Sequence, residues 1–205
     1  MRVAIHPENP EPRHVRKAAD ILRAGGIIIY PTDTVYGMGC SIEDKSAVEK
    51  IHLIKRQRSD KPFSFVCSDL THISEYARVS NMAFRTMKHL IPGPYTFILP
   101  AARMKQLSKI LISKRKTVGI RVPDSHVSHA IVKELGHPIL STSVTTEEGR
   151  VLNDPDLIAQ HFNNVVDLIL DGGVLHSEPS TVIDLTGEEP VILRQGAGVA
   201  ALPVR

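Results

Sequence analysis

Apolar positions along this chain switch repeatedly between helical and strand spacing. Val15, Ala18, Ala19 and Leu22 recur every three or four residues behind Pro12, which suits a first helical turn, and Gly25–Gly26 closes the segment. Residues 27–30 are four β-prone side chains in a row and read as a buried strand, which Pro31 ends because it has no N–H to donate. Asp44 caps a helix to about Lys55, with Ala47, Val48, Ile51 and Ile54 inward. A short strand is expected over 63–67. Asn81 is read as the cap of a helix carrying Met82, Phe84, Arg85 and Met87. Pro92-Gly93-Pro94 turns the chain before a strand over 95–99. Further strands are expected over 117–122, 139–143, 166–170, 181–185 and 191–194. Helices are expected from about 127 to 135, stopped by Gly136, and from Asp154-Pro155 onward.

Strands interleaved with helices imply an α/β fold in one domain over residues 1–205. Some successive strands have no helix between them, notably the last two, so the sheet is expected to be mixed. Hydrophobic residues are 42% of the 205 and charged residues 23%, which supports a real core and argues against disorder. There is no apolar run of about 18 residues and no signal-peptide core, so no membrane association and a cytoplasmic location are expected. Cys40 and Cys67 are too few for a disulfide framework or a zinc site and read as small core residues. The net charge of +3 is mild. Basic residues nevertheless cluster at Lys55, Arg56, Arg58 and Lys61, and again over 105–116.

Polar residues gather where strands end: Thr32, Asp33 and Thr34, then Thr117, Arg121, Ser141–Ser143, Ser180–Thr181 and Arg194. Gly37 and Gly39, which follow shortly after Thr34, allow close backbone approach or positive φ. Hydroxyls and guanidinium groups orient phosphate and carboxylate oxygens, so the inventory fits a polyanionic ligand such as a nucleoside triphosphate. The glycine-rich phosphate loop, the dinucleotide turn and the serine-hydrolase elbow are all missing. His126 and His129 lack a third metal ligand nearby and read as an exposed pair. Asp184 is either an acid or metal ligand or a turn-side carboxylate. Tyr36 reads as core rather than as a base-stacking platform.

PTDTVYGMG, KRQRSDKPFSF, PGPYTFIL, TVGIRVP, LSTS, PSTVIDLT and ILRQGAG occur in this order over nearly the whole chain. In that combination the chain resembles the YrdC-like family, which includes the threonylcarbamoyl-adenylate synthases, and within it the YciO-like branch. The resemblance implies a twisted mixed sheet flanked by helices around a positively charged cavity. It implies a nucleotidyltransferase that makes threonylcarbamoyl-adenylate and pyrophosphate from ATP, L-threonine and bicarbonate, with Mg2+ on the phosphates, for tRNA modification at adenosine 37. Carried over residue by residue, Thr34, Arg121, Ser141 and Ser180 fall on the threonine side. Lys55, Arg58, Lys61, Thr117, Ser143 and Arg194 fall on the ATP side, with Lys55 and Arg58 as the catalytic pair at the departing pyrophosphate. The segment 55–61 is expected to act as a lid. Three positions depart from the family pattern: Gln57 stands for the arginine of K-x-R, Thr145 for the asparagine of S-x-N, and Val66 for a frequent histidine. The resemblance therefore carries an alternative, a YciO-like binder of double-stranded RNA in which synthesis is weak or lost.

Overall fold

The computed structural model describes residues 1–55, 63–102, 116–176 and 178–199, with Lys55 described by its backbone alone. Helices are α1 (Pro12–Arg23), α2 (Lys45–Lys55), α3 (Leu70–Tyr76), α4 (Asn81–Lys88), α5 (His126–Leu135) and α6 (Pro155–Phe162). Strands are β1 (Arg2–Ala4), β2 (Ile28–Tyr30), β3 (Gly37–Ser41), β4 (Ser64–Val66), β5 (Tyr95–Pro100), β6 (Thr117–Arg121), β7 (Ile139–Ser143), β8 (Leu168–Asp171), β9 (Thr181–Asp184) and β10 (Val191–Arg194). They form one ten-stranded sheet in the order β1-β8-β2-β3-β7-β4-β6-β5-β9-β10. β1–β8, β2–β8, β4–β6 and β5–β9 pair in parallel and the other neighbours antiparallel, so the sheet is mixed as expected.

The helix ends follow their residue chemistry. Asp44 accepts from the Ala47 amide at 2.9 Å, Asp154 from the Asp156 amide at 2.8 Å, and Gly136 ends α5 in the left-handed region at φ 86°. The cap of α4 is Ser80, whose hydroxyl accepts from the Ala83 amide at 3.1 Å; Asn81 is the first helical residue, which corrects the sequence expectation by one position. Three elements escaped the sequence reading. β1 is a three-residue edge strand. α3 is capped by Asp69 but has only seven residues. β3 begins at Gly37, so Gly37 and Gly39 lie in a buried strand.

Strand alternation divides the sheet into two unlike faces. One face carries Ile29, Met38, Cys40, Phe65, Phe97, Leu99, Val118, Ile120, Leu140 and Ile183, and packs in one apolar cluster with residues of α2, α3, α4 and α6. Tyr36 belongs to this core and its hydroxyl donates to the Gly173 carbonyl at 2.7 Å. Cys40 and Cys67 are buried as expected, and burial pushes the Cys40 thiol up to about 12. The opposite face is covered by α1 and α5 only over Ile28, Tyr30, Val66, Ile139, Leu168 and Leu170. Among the described residues, no helix is long and apolar enough to cross a membrane.

Candidate functional site

The rest of that second face is small and polar, and the register shows why. Gly39 and Ser64 both sit opposite Ser141, Gly37 opposite Ser143, and Gly119 opposite Ser64. Residues paired across neighbouring strands share a face, as do alternate residues within a strand. Gly37, Gly39, Ser64, Thr117, Gly119, Arg121, Ser141 and Ser143 therefore form one contiguous surface over β3, β7, β4 and β6. Thr96 on β5, opposite Val182 of β9, continues it, and an irregularity in β10 between Ile192 and Arg194 brings Arg194 opposite the same Val182.

The glycines are required by close approach and not by dihedral freedom. A Cβ on Gly39 would lie 2.5 Å from Ile139 Cγ2 and 3.1 Å from the Tyr30 ring, and one on Gly37 would lie 2.9 Å from Ser141 Oγ. The Tyr30 ring fills this space and its hydroxyl donates to Ser141 Oγ at 2.8 Å. Burial pushes the Tyr30 phenol up to about 12, so it stays a donor at neutral pH.

Arg121 ends β6 with 8% of its surface exposed. Its Nη2 donates to Asp33 Oδ1 and, at 2.8 Å, to Thr34 Oγ1. Thr34 is held in turn by Thr32, whose hydroxyl accepts from the Thr34 amide at 3.2 Å and donates to the Val35 carbonyl at 2.6 Å. Burial lowers the Arg121 pKa and the Asp33 carboxylate opposes that shift. Arg121 Nε and Asp33 Oδ2 are buried without a hydrogen-bond partner. Arg194 also lowers the Arg121 pKa through like-charge repulsion, so the two guanidiniums sense each other across the face. Arg194 is exposed, yet partial desolvation lowers its pKa, and its Nη2 donates to the Ser180 carbonyl at 2.7 Å. The Ser180 and Thr96 hydroxyls are 2.8 Å apart.

The structure thus joins Thr34 to Arg121, and Ser180 to Arg194. The second contact crosses the sides that family resemblance gave to these residues. Ser141, Ser143 and Thr117 share the face without touching Arg121 in any contact described. Arg58 and Lys61 lie outside the described residues, as do Gln57 and the basic residues over 105–115. Lys55 is the last residue of α2. Among the predicted alternatives, Asp184 is a turn-side carboxylate that accepts from the Thr186 amide and hydroxyl at 2.8 and 2.7 Å. His126 is exposed beside Glu8, whereas His129 is half-buried with Nε2 unpartnered, so they are not an exposed pair. Among the described residues no three His, Cys, Asp or Glu could hold a metal ion. Sequence reasoning missed Tyr30, Ser64, Thr96 and the pairing of Asp33. A usable signal was present: G37-x-G39, T117-x-G119-x-R121 and S141-x-S143 place small or polar residues at period two.

A family model named Sua5/YciO/YrdC and described as "Telomere recombination" matches residues 20–196. The chain is 44% identical over 195 residues to YciO of Escherichia coli K12, covering 95% of this chain and 94% of that protein. It is 27% identical over 188 residues to a threonylcarbamoyl-AMP synthase of Vibrio vulnificus, covering 89% and 98%. The crystal structure of E. coli YciO superposes with a TM-score of 0.92 at 43% identity, covering 97% of each chain. That of P. abyssi Sua5 complexed with L-threonine superposes at 0.89 and 28% identity, covering 96% of this chain and 57% of that one.

Proposed function

Because the chain belongs to the Sua5/YciO/YrdC family, we propose that its polar sheet face is a threonylcarbamoyl-AMP synthase site, binding L-threonine and ATP side by side. The observation that carries this reading is the buried Arg121 beside the Thr34 hydroxyl. A guanidinium held with a hydroxyl on a sheet face matches a carboxylate that has a hydroxyl close by, as in threonine. Two relatives point the same way: one is named for the threonylcarbamoyl adenylate and one is complexed with threonine.

In this reading Arg121 and Thr34 hold threonine. Its amine takes up carbon dioxide from bicarbonate, and the resulting carbamate attacks the α-phosphate while pyrophosphate leaves. Arg194, Ser143 and Thr117 orient the nucleotide. Lys55, Arg58 and Lys61 offset the charge of the leaving group, because phosphoryl-type transfer depends on positioning and charge stabilisation more than on covalent catalysis. Mg2+ belongs to the nucleotide phosphates and enters with the substrate. The product would feed tRNA modification in the cytoplasm. The test is pyrophosphate release, which should require threonine and bicarbonate together. Threonine-independent turnover of ATP, or none, counts against the reading.

A second reading is a duplex-RNA binder with weak or lost synthesis: the basic clusters of the sequence, with Gln57 and Thr145, are its warrant, and Val66 adds to the case for lost synthesis. That position, polar in the family pattern, here carries a valine packed in the apolar cluster beneath α1 and α5. Duplex-RNA affinity that falls steeply with salt, alongside no pyrophosphate release, would favour it.

A further inference from the structure

We infer that Asp33 selects the amino group of the ligand, so that the site takes a zwitterionic α-amino acid with its carboxylate on Arg121 and its nitrogen on Asp33. The inference deepens the synthase reading and rests on its amino-acid half.

Asp33 and Arg121 are both largely buried, with side chains about 10% exposed, and they neutralise each other. The contact is incomplete. Arg121 spends Nη2 on Asp33 Oδ1 and Thr34 Oγ1, which leaves its Nε–H unanswered, and Asp33 Oδ2 accepts nothing. One donor on a cation and one acceptor on an anion are thus left open within a single ion pair. Neither atom reaches solvent, so a ligand must part the pair in order to use them.

Parting a buried ion pair is costly unless each charge regains a partner. A carboxylate without an amine would satisfy Arg121 and strand Asp33, because Asp33 has no second cationic partner among the described residues. A zwitterion answers both charges and exchanges one buried pair for two. Binding that leaves a buried polar group unpaired is rejected far more strongly than binding that merely loses a contact. The opposite role for Asp33 is a stand-in for the ligand carboxylate, occupying Arg121 until substrate displaces it. That role explains Oδ1 but leaves Oδ2 without purpose.

The two roles diverge in a calorimetric titration of L-threonine, L-serine and L-valine, each beside its 2-hydroxy-acid analogue. With the wild-type chain, the preferred amino acid should bind about 30-fold or more tighter than its hydroxy analogue, since a charged hydrogen bond exceeds a neutral one. Asp33→Asn should weaken the amino acid by about tenfold or more and bring the ratio within about threefold, while Asp33→Glu keeps the preference. A wild-type ratio near one overturns the inference, and so does an unchanged ratio in Asp33→Asn. Tighter binding of both acids by Asp33→Asn overturns it in favour of the stand-in role. If Asp33→Asn fails to fold, the wild-type ratio alone decides. A preserved ratio with an amino acid other than threonine preferred would sink the synthase reading and keep this one. Binding of no amino acid would sink both.

Discussion

Arg121 is a largely buried cation paired with Asp33, and its replacement tests how the site is held together. Arg121→Met would leave the Asp33 carboxylate buried and unpaired, a change expected to cost about 3–5 kcal/mol. Adding Asp33→Asn removes the stranded charge and should recover part of that loss. Urea denaturation checks both, read as a shift of midpoint at constant slope. Tyr30→Phe is milder. It removes one buried hydroxyl contact with Ser141, worth about 0.5–1.5 kcal/mol, without emptying the space over Gly37 and Gly39. Under the synthase reading it should weaken threonine binding only modestly, by about threefold, because Ser141 keeps its place on β7 and loses one oriented hydroxyl contact; equilibrium titration measures this. At this scale the sequence showed which residues are chemically able and hid which of them meet. Thr34 and Arg121 were both evident as polar strand-end residues, but they are 87 positions apart, and nothing local encodes their contact. Asp33 was visible beside Thr34, yet its role depends wholly on that distant guanidinium.

Elements with strong punctuation were legible: α1 between Pro12 and Gly25, α5 before Gly136 and α6 behind Asp154-Pro155 all stand close to where their signals put them. β3 was not, because two glycines and a serine weaken any strand pattern, and it is a strand only because Tyr30 and Ser141 leave no room for larger side chains. β1 and α3 are too short to show a period. Two helices also carry a pH response. His52 on α2 and His72 on α3 are held below the ordinary histidine value by burial. Their folded forms therefore take up protons less readily than the unfolded chain. Stability is unaffected well above about 6.5, falls as pH drops through that value, and reaches its full loss below the lowered folded-state values. A lower urea midpoint at pH 5.5 than at pH 7.5 is expected, with a smaller gap in the His52→Gln/His72→Gln double variant. An equal gap in both proteins would assign the acid response elsewhere.

Across the whole molecule, the sheet interleaves early and late segments. β2 lies between β3 and β8, and β5 between β6 and β9. A chain ending at Phe162 would lack β8, β9 and β10, exposing a flank of β2 and of β5 and removing Arg194 from the polar face. Such a chain is expected to lose cooperative unfolding, which a thermal melt followed by circular dichroism would show as a broad slope in place of a transition.

The same ordering sets a timetable for biosynthesis. The Ile27 amide is answered by the Asp167 carboxylate, 140 residues later. At about 5–20 residues per second, an emerging chain holds the apolar run at Ile28 and Ile29 without its eventual β8 neighbour for on the order of ten seconds. During that interval β2 has β3 on one side and an unpaired edge on the other, which is a template for association with other chains. A strand interior to the finished sheet is thus left waiting on the ribosome, and yield in cells should depend on holding chaperones more than the stability of the completed fold would suggest.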